Sequence, residues 1–466
     1  MLFTTVDFAV FFTTVLALSW LVPQFGTRWK LLVLLASYVF YGWWDWRFCG
    51  LLAASTAVNQ GAAEAIARSR SAATRRAVLV LAVAADLVTL GFFKYAGFFA
   101  SSLANALGHL GLGAPLPLLQ VVLPVGISFF TFQAISYVVD VYRGTTHADS
   151  RLDLAVYLAF FPHVVAGPIV RAREFIPQLR RSTAEPRVDG GRAICLILGG
   201  LFKKVVLAGF LSTAIVDPVF GAPGAHSRIE ALAAVYAYAV QIWADFSGYT
   251  DIAIGCALLL GIRFPANFDA PYAATSLRDF WRRWHMTLSR WLRDYLYIPL
   301  GGSRVSSLLT ARNLMVTMLL GGLWHGAAWT FVVWGGIHGG CLVAERRLTR
   351  WRRRPAVNRA LARLLTFHVV CLAWVFFRAD SVGTAFAVLG RLLTGGGAAS
   401  LVTVPVVLAI AAGIGVQYLP AGLIGRWTAR FAQLRPELQG GAAAAALVGI
   451  GVLGPQGVAP FIYYRF

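Results

Sequence analysis

Charge is scarce in this sequence. Asp, Glu, Lys and Arg make up 13% of its 466 residues, against 58% hydrophobic ones. A soluble domain carries about a quarter charged residues, so a water-soluble globule is excluded. Acidic residues are the scarcest, 20 against 41 Lys and Arg, a formal net charge of +21. In a soluble protein that surplus would suggest nucleic acid. Here the arginines sit in short clusters between apolar runs, as cytoplasmic loops of a membrane protein do, so no nucleic-acid partner is expected. Cysteines are few: Cys49, Cys195, Cys256, Cys341 and Cys371 form no CxxC pair, and each lies in or beside an apolar run. They read as small hydrophobes, not as disulfides, zinc ligands or nucleophiles. No HExxH or similar histidine spacing occurs, so no metal is expected. A long polar stretch, a solenoid-period repeat and a low-complexity tail are all missing, and Gly440–Ala446 reads as a small-residue helix. The first residues lack a basic n-region and a small-residue cleavage site, so a removable signal peptide is not expected.

What is present is a series of apolar runs, near 3–22, 31–54, 77–100, 118–141, 152–167, 193–216, 231–261, 313–344, 364–377, 401–419 and 441–460. Some fall short of a full span, so half-helices are expected among about ten to twelve crossings. The expected fold is all-α: a polytopic transmembrane protein with re-entrant and interfacial helices, in one membrane domain over 1–466. Arg28 and Lys30 follow the first run, which places the N-terminus outside and that loop inside. Basic clusters at Arg68–Arg76, Arg171–Lys204, Arg278–Arg293 and Arg346–Arg363 mark further inside loops.

The stretch from Ser276 to Gly340 stands apart. Its first half, SLRDFWRRWHMTLSRWLRDYLY, is charged and aromatic. Read as one helix at about 100° per residue, Arg278, Asp279, Arg282, Arg283, Arg290, Arg293 and Asp294 share one half of the circumference. Phe280, Trp281, Trp284, Leu288, Trp291, Leu292 and Tyr295 take the other. That is the pattern of a basic amphipathic helix lying in a membrane interface. His285 falls at the seam, as a snorkelling or a working histidine.

From Asn313 to Ala344 no side chain is charged, and both flanks are basic. The run must therefore cross an even number of times or re-enter. The expected break is Gly321-Gly322, after an arm of about 15 Å, roughly half the hydrocarbon thickness. That places His325 well inside the membrane, where an ionisable group is costly and is a functional candidate. The alternative is a core histidine bonded to a backbone carbonyl. His338 lies about 220° from His325 on a straight helix and reads as structural. Asp140, Pro162-His163, Asp245 and Asp251 also interrupt apolar runs. Intramembrane carboxylates face a cavity or pair with a base, and buried structural pairs fit each of these as well.

Several segments resemble one family in order: Ser37–Gly42, LPVGISFFTFQAISYVVDVYRG (123–144), FFPHVVAGPIVR (160–171), DFSGYTDIAIG (245–255), NFDAPYAATSLRDFWRRWHMTLSRWLRDYLYIPLGG (267–302) and GGLWHGAAWTFVVWGGIHG (321–339). The sequence is similar to the membrane-bound O-acyltransferases, within them the bacterial alginate O-acetylase branch, over roughly residues 30–345. The resemblance implies that His325, in WHG, is the catalytic histidine and His285, in RWHMTLS, the second active-site position. It further implies a bacterial inner-membrane enzyme that moves an acyl group from a cytoplasmic thioester donor to a hydroxyl. The product is an acetylated extracytoplasmic polysaccharide such as alginate, cellulose or peptidoglycan. A separate soluble hydrolase-like (SGNH-type) acetyltransferase often acts as partner.

Such a transfer needs a base for the hydroxyl proton, a donor for the oxyanion and exclusion of water. The sequence assigns the base to His325, and to His285 either steering a reactant or hydrogen-bonding the carbonyl; an acetyl-histidine intermediate stays open. Acetyl-CoA is the expected donor substrate, with no permanently bound cofactor. Arg278, Arg282, Arg283 and Arg293 would meet its phosphates or, equally, lipid headgroups. Two other classes remain: a transporter or flippase, disfavoured by the missing two-fold hydropathy repeat, and a non-catalytic scaffold, which would gain nothing from a buried His325.

Overall fold

The computed structural model describes residues 1–112, 122–181, 188–351 and 358–455, without the side chains of 349–351 and 421. The expected runs 118–141 and 441–460, and the basic clusters 171–204 and 346–363, lie partly outside the described residues. Every described regular element is a helix. Four described helices are long and apolar enough to cross a membrane: Ala72–His109, Gly190–Gly221, Arg359–Arg378 and Pro436–Leu453, or five spans if one bent pair counts as a single span. Shorter apolar helices such as Val6–Trp20 and Ile127–Tyr142 accompany them, as expected where half-helices occur. The chain is a polytopic α-helical membrane protein.

The chain divides into two compact units, Met1–Val188 with Ala257–Phe264, and Asp189–Cys256 with Pro265–Phe466. The first is built from α1 (Val6–Trp20), α2 (Thr27–Gly42), α3 (Arg47–Arg68), α4 (Ala72–His109), α5 (Ile127–Tyr142) and α6 (Arg151–Ala159). Charged residues of α2, α3, α6 and the segments beside α6 form a set of ion pairs. Lys30 Nζ lies 2.6 Å from Asp153 and Arg180 Nε 3.3 Å from the same carboxylate; Arg180 also pairs with Asp149, and Arg151 with Glu64 at 3.2 Å.

The second unit opens with α7 (Gly190–Gly221), which loosens into π-helical turns at Phe202–Ala208 and Ser212–Val216. It is followed by α8, which begins the helix Arg228–Leu259. Lys204 and Asp245 pair at 2.7 Å between α7 and α8, both almost fully buried, and Lys203 pairs with Asp251. Asp245 is thus a member of a buried lysine pair, and Asp251 of a half-buried one. Lys204, expected at the edge of a cytoplasmic basic loop, sits inside a helix instead, its charge matched by Asp245.

Next come α9 (Leu277–Arg283), α10 (Met286–Leu292), α11 (Ser307–His325), α12 (Trp329–Trp351) and α13 (Arg359–Arg378). The apolar run 313–344 forms the antiparallel hairpin α11–α12. Its break is at Gly326–Ala328, not Gly321-Gly322. The glycines serve packing instead: a Cβ on Gly322 would lie 2.2 Å from the Phe331 carbonyl oxygen, and one on Gly335 2.4 Å from that of Met318. Only bare backbone permits so close an approach of two helices. Moving the break puts His325 at the end of α11, 13 residues beyond Arg312 and so about 20 Å further along.

Candidate active site

The single interfacial helix read from residues 276–297 is in fact two helices, with His285 in the break. Ser276 caps α9, its hydroxyl accepting from the Asp279 N–H at 3.1 Å. The helix stops because residues 267–269 compete for its backbone groups. Asp269 N–H donates to Arg283 O at 2.9 Å, and Met286 N–H donates to Asn267 O at 2.9 Å. Trp284 becomes extended, and His285 adopts φ 40°, ψ 54°. A side chain other than glycine in that left-handed region is strained and is held by its surroundings. His285 is therefore not at a lipid-facing seam: it is 0% exposed. The break also ends the shared arginine face, because the two halves no longer continue one another.

Asn267 supplies what holds His285. Its Oδ1 lies 3.1 Å from His285 Nδ1 and accepts from the Thr287 N–H at 3.2 Å and the Thr287 hydroxyl at 2.9 Å. The imidazole meets Phe246 edge-on at 4.6 Å and lies parallel to Phe268 at 6.5 Å. His285 Nε2 has no hydrogen-bond partner among the described residues.

His325 arrives from α11. It is 3% exposed, and its ring centroid lies 6.3 Å from that of His285. That spacing is too long for a direct hydrogen bond between the rings. Around the pair stand Trp324, 5.9 Å from His285, and Trp334 and Phe377, 5.1 and 5.3 Å from His325. Water-poor aromatic walls about two imidazoles suit acyl transfer, since competing hydrolysis is kept out.

His338 lies in the same aromatic cluster. The straight-helix angle between His325 and His338 does not apply, because Gly326–Ala328 separates their helices. Trp334 contacts both, at 5.1 and 4.8 Å. Trp281 Nε1–H donates to His338 Nδ1 at 3.3 Å, and Phe280 stacks on it at 6.0 Å. Trp281 and Phe280 are thus buried-side anchors, not lipid-facing ones.

The four arginines divide. Arg283 is held by Asp279 at 2.9 Å and Arg293 by Asp294 at 2.6 Å. Arg278 and Arg282 are exposed. Asn267 is the residue that sequence reasoning passed over. It lay inside a quoted motif, but nothing in its spacing from His285 signalled a contact across 18 residues.

A family model described as the membrane-bound O-acyltransferase family matches residues 145–383, just over half of the chain. A "Probable alginate O-acetylase AlgI" of Azotobacter vinelandii is 43% identical over 378 residues, 79% of this chain and 73% of its own. A peptidoglycan O-acetyltransferase of Helicobacter pylori is 38% identical over 390 residues, 77% of this chain and 73% of its own. A teichoic acid D-alanyltransferase of Bacillus subtilis is 29% identical over 277 residues, 54% and 68% of the two chains. By that match and these identities, with His285 and His325 brought to one buried site, the chain belongs to the membrane-bound O-acyltransferase family and is an acyltransferase enzyme.

Proposed function

We propose that the chain takes an acetyl group from acetyl-CoA on the cytoplasmic side of the bacterial inner membrane for O-acetylation of an extracytoplasmic polysaccharide. The polymer is of the alginate or peptidoglycan kind, reached directly or through a separate SGNH-type acetyltransferase. The observation that carries this reading is the pair of buried imidazoles, His285 and His325, with centroids 6.3 Å apart in an aromatic lining. One imidazole takes the hydroxyl proton while the other faces the thioester carbonyl. Relatives named for alginate and peptidoglycan O-acetylation support the acceptor class. The exposed Arg278 and Arg282 are the candidates for the donor's phosphates, with Arg283 and Arg293 already engaged by carboxylates.

The test uses the purified full chain in liposomes with acetyl-labelled acetyl-CoA and alginate. The expected result is release of free CoA thiol together with base-labile label on the polymer or on an added partner. A transporter would move label across the bilayer without thiol release, and a scaffold would do neither. Either outcome overturns the proposal.

A further inference from the structure

A neighbour decides which nitrogen of His285 carries the proton. The Thr287 backbone N–H can only donate, and it points at the Asn267 side chain at 3.2 Å. The atom receiving it must be the amide oxygen, so the amide's orientation follows from the bond rather than from a choice of labels. His285 Nδ1 lies 3.1 Å from that same oxygen. An oxygen with no hydrogen accepts only, so Nδ1 is the N–H. A neutral imidazole has one N–H, and Nε2 therefore presents a lone pair. That nitrogen is buried and without a hydrogen-bond partner among the described residues.

The backbone agrees. Asn267 O accepts the Met286 N–H at 2.9 Å, so Asn267 grips the residues on both sides of the strained His285 as well as its ring. Asn267 is itself 1% exposed. The rings against His285 are Phe246, Phe268 and Trp324, with His325 the one titratable group among its recorded ring contacts.

We propose that Asn267 is a positioning residue that locks His285 in the Nδ1–H form, making His285 rather than His325 the acceptor of the hydroxyl proton. This rests on the acetyl-transfer reading above and reverses the roles expected from the sequence. A neutral His285 held in this way has no N–H to offer a thioester carbonyl. In the step, the hydroxyl proton moves to His285 Nε2 as the hydroxyl oxygen bonds to the thioester carbonyl carbon. The C–S bond then breaks, sulfur keeps its electron pair, and the proton on Nε2 passes to the thiolate. His325 is left to face the carbonyl oxygen.

The test measures thiol release from acetyl-CoA by the full chain in proteoliposomes with alginate, as a function of pH. Asn267→Ala lowers kcat by about 10–100-fold, the usual loss when an imidazole's orienting partner is removed, and leaves KM for acetyl-CoA unchanged. Asn267→Asp keeps an acceptor at Nδ1 and restores most of the rate. Its added negative charge moves the acid limb of the kcat profile to higher pH by about one unit, because a more basic His285 is protonated sooner as pH falls. A residue with a merely structural role would not move that limb. The double variant Asn267→Ala/His285→Ala is no slower than His285→Ala alone, since Asn267 acts through His285.

A spectroscopic arm is independent of turnover. In full chain labelled with ¹⁵N-histidine, the signal lost in His285→Ala shows a protonated Nδ1 and a bare Nε2, and becomes a tautomer mixture in Asn267→Ala. If Asn267→Ala does not reach the membrane, Asn267→Asp carries the kinetic test alone. Wild-type kcat in Asn267→Ala beside an inactive His285→Ala, an unmoved acid limb in Asn267→Asp, or an Nε2–H signal in the wild type overturns the proposal. A His285→Ala variant at the wild-type rate instead sinks the active-site assignment itself, which is a separate failure.

Discussion

Two histidines, one in each unit, are equally buried and differently built. His163 and His285 are both 0% exposed, and both lie among aromatic rings. His163 stacks on Phe264 at 5.3 Å and meets Phe175 at 5.5 Å, and its Nε2 lies 2.7 Å from the Tyr157 carbonyl oxygen. That carbonyl can only accept, so His163 is an Nε2–H donor and its bare nitrogen is Nδ1. His285 likewise has one bonded and one bare nitrogen. A buried lone pair is therefore not enough to mark a working histidine. What separates the two is everything around that nitrogen. His285 has a second imidazole 6.3 Å away, a side-chain amide as its pin and a left-handed backbone; the recorded ring neighbours of His163 are Tyr157, Phe160, Phe175 and Phe264, all plain aromatics. Strain and a polar neighbour together point to function more firmly than burial does.

The comparison breaks first, and by most, on activity. His285→Ala and His325→Ala each lower acetyl transfer by about 10²–10⁴-fold, the usual worth of general acid–base catalysis. Emptying either buried place also costs stability, so the rate is read per folded molecule. O-acetyl label transferred, divided by folded protein in the membrane fraction, is the measure. Loss of folding in place of loss of rate would make His285 resemble His163.

His163→Ala goes the other way. Emptying its aromatic box costs roughly 2–4 kcal/mol of stability, as for other large buried side chains cut back to alanine. The midpoint of thermal unfolding in detergent falls, and transfer per folded molecule stays near wild type. A tenfold loss of specific activity without a stability change would place His163 with the working histidines.

His338→Ala sharpens the contrast inside the second unit. It removes the acceptor of the Trp281 N–H and leaves that buried donor unpaired, at about 1–3 kcal/mol. It also removes a ring packed on Trp334, which touches His325. Stability drops mainly, and the transfer rate falls far less than in His325→Ala. Equal losses of rate for the two would give His338 a chemical role.

The membrane class and the all-helical fold were legible, and His285 and His325 could be named as candidates, because each rests on a local signal: hydropathy over twenty residues, flanking arginines, a polar group in an apolar run. The path of the chain at the site was not. Periodicity from Ser276 to Tyr297 is continuous, so nothing local announces that Asn267 and Asp269 will take the backbone bonds of Arg283 and Met286 and split the helix. A glycine pair is likewise ambiguous between a break and a close contact. Gly321-Gly322, read as a break, serves a close contact instead, because only the facing backbone decides. The lysine partners of Asp245 and Asp251 were hidden for the same reason. Lys203 and Lys204 read as the end of a basic loop until α7 and α8 are laid side by side.

The smallest effect belongs to the arginines, which make opposite offers. Arg278 and Arg282 are exposed, whereas Arg283 closes on Asp279 at 2.9 Å and Arg293 on Asp294 at 2.6 Å. A phosphate competing for Arg283 or Arg293 must first displace a carboxylate; one approaching Arg278 or Arg282 meets open guanidinium groups. Contacts of this exposed kind contribute about 0.2–1 kcal/mol each, so Arg278→Ala with Arg282→Ala raises KM for acetyl-CoA only about two- to tenfold and leaves kcat nearly alone. The effect fades as salt rises past the Debye regime. Arg283→Ala, by contrast, releases Asp279 in the first turn of α9 and shows its cost as lower protein level in the membrane. If the Arg278/Arg282 variant keeps its KM at low salt but loses activity in liposomes stripped of anionic lipid, these two side chains hold headgroups and the donor enters elsewhere.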